Sequence, residues 1–151
     1  MAIMQMRKGI YVGLLCLFFT GCTRSNDRQS PPFLAEQALK FAQIAFVVKD
    51  FDKAYDLLSE SGKQFGSVEQ FRALIEKKHP SVYPLSVKLT DYEPLPEQKG
   101  MIVYAYGENG TERFYYRLIM DPAQDTGYKV SGFNRSDTPY PQMELRQPFD
   151  Q

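Results

Sequence analysis

Two different periods of apolar residues divide the chain. In the first half, Leu34, Ala38, Phe41, Ala45 and Val48 recur at steps of four and three, which lines one face of a helix. Ser30 followed by Pro31 marks its start: a capping side chain, then a residue with no amide hydrogen to leave unpaired in the first turn. Asp50 is placed to cap a second, shorter helix carrying Phe51, Ala54, Tyr55 and Leu58, and Ser61, Gly62 and Gly66 read as the loop after it. Ser67 and Gln70 have capping-box spacing ahead of a third stripe, Val68, Phe71, Leu74 and Ile75. Pro80 disfavours helical geometry at His79 and ends that helix.

Beyond Pro80 the period shortens to two. Leu85, Val87 and Leu89 alternate with Ser86, Lys88 and Thr90, and Pro94 and Pro96 close the segment. Residues 101–107 and 111–120 are β-rich runs on either side of Glu108-Asn109-Gly110, and Asn-Gly is a strong hairpin signal. In the second run Phe114, Tyr116, Leu118 and Met120 share one face; Arg113, Tyr115 and Arg117 share the other with Ile119. A last strand sets Tyr128 and Val130 against Lys129 and Ser131. Residues 138–151 contain three prolines and no period, so they read as a surface strap or a disordered tail. The pattern predicts an α+β domain over residues 33–137, with three N-terminal helices packed on a curved antiparallel sheet of about four strands.

Ahead of the domain lie a polar stretch, residues 22–32, which reads as a flexible tether, and a very different segment, residues 1–21. Arg7 and Lys8 precede an apolar run over residues 9–20, and Thr20-Gly21 place small side chains before Cys22. That order is a secretory leader. The run is about 12 residues, against roughly 20 for a bilayer-spanning helix, which makes it a poor permanent anchor. Phe19-Thr20-Gly21-Cys22 resembles the lipobox of bacterial lipoproteins, with Phe19 where leucine is usual. The resemblance implies cleavage before Cys22, lipidation of its sulfur and tethering of the domain to a membrane. Two or more acyl chains hold stably where one holds marginally. Thr23 after the cysteine, in place of aspartate, leans toward the periplasmic face of the outer membrane if the source is Gram-negative. The rival readings are an uncleaved anchor or an ordinary leader beside a chance cysteine.

Composition narrows the chemistry. Arg7 and Lys8 leave with the leader, so of 18 Lys and Arg residues 16 face 18 Asp and Glu, a near-neutral balance. No basic face for nucleic acid is expected. Both cysteines are accounted for, Cys16 in the leader and Cys22 by the lipid, which leaves no thiol for a disulfide, a metal or catalysis. With a single histidine, no metal site is expected either. Asp50, Asp52 and Asp56 lack the glycine and terminal glutamate of a calcium loop and read as a capped, solvated helix face. His79 is read as a cation favourably placed at a helix C-terminus rather than as a general base.

Residues 38–59 with a break at Lys49-Asp50-Phe51, then residues 67–76, then the meander ending at residues 127–134, resemble the NTF2-like, cone-shaped α+β family over most of residues 33–135. Members include enzymes and non-enzymes, so the fold does not choose a function. Enzymes of that family place an aspartate, a histidine or tyrosines inside the cone. Asp91 and Tyr92, Tyr104, Tyr106 and Tyr116 are the nearest candidates, and Asp91 shares the alternation phase of Leu89. The aromatic strands are the more suggestive feature. Arg113 and Arg117 flank Tyr115, and polar-tipped rings beside arginines favour binding surfaces, against the plain alternative of an ordinary solvated sheet face.

The leading expectation is a membrane-tethered envelope lipoprotein whose non-catalytic domain binds an envelope protein or small ligand through Arg113, Tyr115 and Arg117, without a cofactor. The alternatives are a small isomerase or dehydratase using Asp91 inside the cone, and an immunity or inhibitor lipoprotein.

Overall fold

A computed structural model describes residues 29–64 and 66–150. Residues 1–21, expected as a leader, and Cys22, expected to be lipidated, lie outside the described residues. Helix α1, Pro31–Ala42, starts at its proline, two residues inside the stretch expected as tether, and runs on as a π-helical turn, Gln43–Val48. Lys49 then closes it in the left-handed region at φ 63°. The π turn changes the phase of the helix. Phe46, five residues after Phe41, faces the core, whereas Val48, expected there by the 3.6-residue period, is 65% exposed.

Helix α2, Phe51–Asp56, is capped as expected by the Asp50 side chain, which accepts from the Lys53 amide. Residues 60–63, expected as loop, form instead a one-turn helix α3, Glu60–Lys63, whose N-cap Ser59 accepts from the Gly62 amide at 3.1 Å. Ser59 and Ser61 also donate to the Asp121 carboxylate, so the turn is pinned to the sheet. Helix α4, Val68–Lys78, opens with the full Ser67–Gln70 capping box.

Five strands follow among the described residues: β1 Ser86–Pro94, β2 Met101–Asn109, β3 Glu112–Ala123, β4 Gly127–Ser136 and β5 Gln147–Pro148. The sheet is antiparallel in the order β4-β3-β2-β1-β5. Gly110, at φ 59°, turns the β2–β3 hairpin as its Asn-Gly pair predicts. The architecture is α+β with helices on one face of the sheet. It departs from expectation in having four helices and a fifth strand, the latter from the tail expected to be irregular. Leu85, expected on the core side of the first strand, lies just before it and is 72% exposed.

Between helices and sheet the space is filled by rings. Phe46 stacks on Tyr116 at 4.6 Å between centroids, touches Phe41 and Phe133, and Phe71 closes the cluster. Aromatic pairs at these distances contribute beyond their buried area. His79 is part of this filling. It is buried at the end of α4 and stacked on Tyr83, with Nδ1 2.8 Å from the Ile75 carbonyl and Nε2 2.9 Å from the Tyr116 hydroxyl. The neutral tautomer fits both partners: Nδ1–H donates to the carbonyl and Nε2 accepts from Tyr116. Burial pulls its pKa below the ordinary histidine value against the opposing bond to the Ile75 carbonyl, and Arg135 adds to the lowering. His79 therefore caps α4 as a buried neutral ring, and not as the cation expected from its position.

Two outcomes follow from this packing. A Cβ at Gly62 would lie 2.6 Å from the Val130 carbonyl oxygen, a backbone atom, so Gly62→Ala should destabilise the domain by about 1–3 kcal/mol in thermal unfolding. A histidine whose folded pKa is depressed contributes stability above its unfolded value, near 6.5, and loses it as pH falls toward the folded value. The melting temperature should accordingly fall between pH 7 and pH 5, and His79→Gln should flatten that slope. A slope unchanged in the variant would assign the effect to other groups.

Candidate functional site

The site is built on the sheet face turned away from the helices. A β-bulge creates it. Leu89 pairs with Ala105, but Asp91 pairs with Tyr104, so Thr90 is an extra residue in β1 and the side-chain phase reverses after it. Leu89 packs on the helix-side core, as alternation predicts. Asp91, two residues on and in the same alternation phase by count, points to the other face beside Tyr104, as does Glu93 opposite Ile102. The β2–β3 register adds Ile102 opposite Ile119, Tyr104 opposite Arg117 and Tyr106 opposite Tyr115 to this outer face.

An apolar sheet face left in water would be costly, and the C-terminal segment covers part of it. Arg146 is the latch. Its guanidinium pairs with Asp91 at 2.8 Å, lies 3.8 Å over the Tyr104 ring, and donates to the carbonyls of Tyr140 and Pro141 at 3.3 Å. Past it, β5 pairs with Asp91 and Tyr92, the Phe149 amide donates to the Thr90 carbonyl, and the Phe149 ring packs on Tyr92 at 4.7 Å. The segment is thus a strap tied down at its far end.

Between strap and sheet lies a pocket of about 530 Å³. Its walls include Leu95, Ile102, Met143 and Leu145, with Tyr104, Tyr140, Glu93 and Arg117 as polar members. Glu93 is buried and accepts a 2.5 Å hydrogen bond from the Tyr104 hydroxyl. Burial first, and then this bond, push the Tyr104 phenol up to about 12, with Arg146 and Arg117 opposing. Tyr104 is therefore a fixed hydrogen-bond donor at neutral pH. Arg117 sits under the Tyr140 ring, 5.7 Å from its centroid, with a buried Nε that has no hydrogen-bond partner among the described residues.

The sequence grouped Arg113, Tyr115 and Arg117, and the structure divides them. Their side chains do share the outer face. Arg113 and Arg117, however, stand about 13 Å apart along the strand. Arg113 is committed to Glu108 at the hairpin end and lies over the Tyr106 ring, whereas Arg117 lines the pocket. Tyr115 is half-buried between them. Glu93, Tyr140 and Arg146 belong to the site and carry no signal in the sequence that marks them. Their meeting depends on the bulge and on the path of a segment without periodicity.

Fold and site together define an α+β domain whose sheet is covered on one face by helices and on part of the other by a C-terminal strap over an apolar pocket. Compared with known proteins, the chain matches no family model, no curated protein and no solved structure. Among the described residues no helix is long and apolar enough to cross a membrane.

Arg146→Ala should release the strap. The pair is mostly buried, with side-chain exposures of 12% and 23%, and a charged hydrogen bond of this kind contributes roughly 1.5–3 kcal/mol. Limited proteolysis should then cut the variant within residues 138–146 much faster than the parent chain. Equal cutting rates would mean that β5 alone holds the segment.

Proposed function

We propose that the chain is a lipid-anchored bacterial envelope protein carrying an NTF2-like, non-catalytic binding domain, and that binding takes place on the outer sheet face. The lipobox-like Phe19-Thr20-Gly21-Cys22 supports the anchor, with acylation at Cys22 and, in a Gram-negative source, residence on the periplasmic face of the outer membrane. The order of helices and antiparallel strands supports the NTF2-like assignment. One observation carries the binding reading. The helix side of the sheet is packed with Phe41, Phe46, Phe71, Tyr116 and Phe133, while the opposite face holds a preformed apolar pocket with convergent polar groups. The occupant is an envelope protein or a small ligand, taken up by Arg117 and Tyr115.

A second reading, a small proton-transfer enzyme, is favoured by Glu93, a buried carboxylate in the pocket wall. The phenol of Tyr104 already satisfies one of its oxygens, and Asp91 is held by Arg146, so the binding reading accounts for more of the arrangement.

The anchor is tested by palmitate labelling and intact mass. The parent chain should incorporate label and lose residues 1–21, and Cys22→Ser should do neither. The binding face is tested by combining Tyr115→Ala with Arg117→Ala in crosslinking from intact envelopes. Capture should disappear while circular dichroism stays that of the parent; capture retained by the double variant would exclude this face.

A further inference from the structure

We propose that the strap pocket binds a single acyl chain headed by a carboxylate, with the chain along Leu95, Ile102, Met143 and Leu145 and the carboxylate on Arg117. The proposal rests on the binding reading above and narrows it to a ligand class. The charges in and around the pocket point to an anion. One oxygen of Glu93 accepts from the neutral Tyr104 phenol on the Tyr104 side of the pocket, Arg146 is ion-paired with Asp91, and Glu144 stands exposed at the rim. Arg117 remains as the cation of the lining without an acidic partner among the described residues. A half-buried guanidinium lacking an anion bears a desolvation cost that the Tyr140 ring offsets only in part. A carboxylate removes that cost, and its two oxygens match the planar fork of the guanidinium.

The rest of the pocket suits the tail of such a molecule. Its volume, about 530 Å³, falls in the range of small-ligand sites, which are mostly apolar with a few fixed polar groups. Met143 and Leu145 are 51% and 62% exposed, so the apolar wall continues outward from the pocket to solvent and gives a chain a route inward. Tyr140 and Tyr104 line the same pocket as Arg117. A positively charged head would meet Arg117 and be repelled. A wider groove of about 840 Å³ between α1 and β1 is lined by charges of both signs, Glu36, Lys88, Asp91 and Asp150, and offers no comparable preference.

The test is calorimetric titration of the full chain in phosphatidylcholine nanodiscs, with empty discs titrated in parallel. Decanoate, decanol and decyl phosphate are the probes. Decanoate should bind the parent chain at least tenfold more tightly than decanol. Arg117→Met, which keeps the apolar stem and removes the charge, should cut decanoate affinity at least tenfold and leave decanol within twofold. That retained decanol binding shows Arg117→Met to be folded, and Leu145→Asp, at a largely exposed side chain of the apolar wall, should weaken both ligands several-fold. Equal binding of decanoate and decanol, no saturable binding above empty discs, or a decanoate preference that survives Arg117→Met would overturn the proposal. Tighter binding of decyl phosphate than of decanoate would overturn the carboxylate head in favour of a phosphate. Labelling at Cys22 and crosslinking through Tyr115 and Arg117 are read independently, so failure of either reading leaves the other result intact.

Discussion

Where Leu89 and Asp91 lie against consecutive residues of β2, strand β1 carries one residue more than its partner, and the two faces of the sheet take their separate roles from that excess. Before Thr90 the inward side chains of β1 join the helix-side core. After it, Asp91 and Glu93 turn to the opposite face and meet Arg146 and Tyr104. Without the bulge both carboxylates would turn toward the helix side of the sheet, where Tyr92 now packs on Phe149 opposite Val103 and an unpaired buried charge is costly. With it, Asp91 becomes the anchor for the strap and Glu93 the acceptor that orients the phenol of Tyr104. Pocket, latch and strap all follow from one inserted residue.

The helix side is governed by volume instead of charge. The π turn in α1 brings Phe46 onto Tyr116, and His79 completes the layer by satisfying a carbonyl at the end of α4 and a buried hydroxyl on β3. Packing of this density leaves little room for a ligand, so the molecule presents its chemistry on the other face. The strap shields that chemistry from water. A buried arginine, a fixed phenol donor and apolar walls are held together by a segment tied at one end by an ion pair and a two-residue strand.

The division between faces also explains how sequence candidates fared. Arg117 was legible because alternation along β3 is unbroken between the hairpin and Ile119, so its phase could be counted from Phe114 and Tyr116. The face of Asp91 is not legible, because counting from Leu89 holds only for a regular strand, and a bulge leaves no mark in composition. Val48 was assigned to the core by a period of 3.6, which a π turn breaks. His79 is legible as a helix end, but its protonation state depends on burial among the rings of Phe46, Tyr83 and Tyr116, which come from three separate parts of the chain.

By itself the sequence determined the local elements: capping of α2 and α4, the halt at His79, the Gly110 hairpin, and an α+β domain with helices ahead of an antiparallel sheet. These rest on interactions within a few residues, whose spacing is written in the chain. Tertiary structure alone decided that residues 147–148 would add a strand, that Arg146 would find Asp91 at a separation of 55 positions, and that Arg117 would be left facing a pocket. Those outcomes depend on which distant surfaces come to cover one another, a matter of burial and charge pairing that no local period encodes.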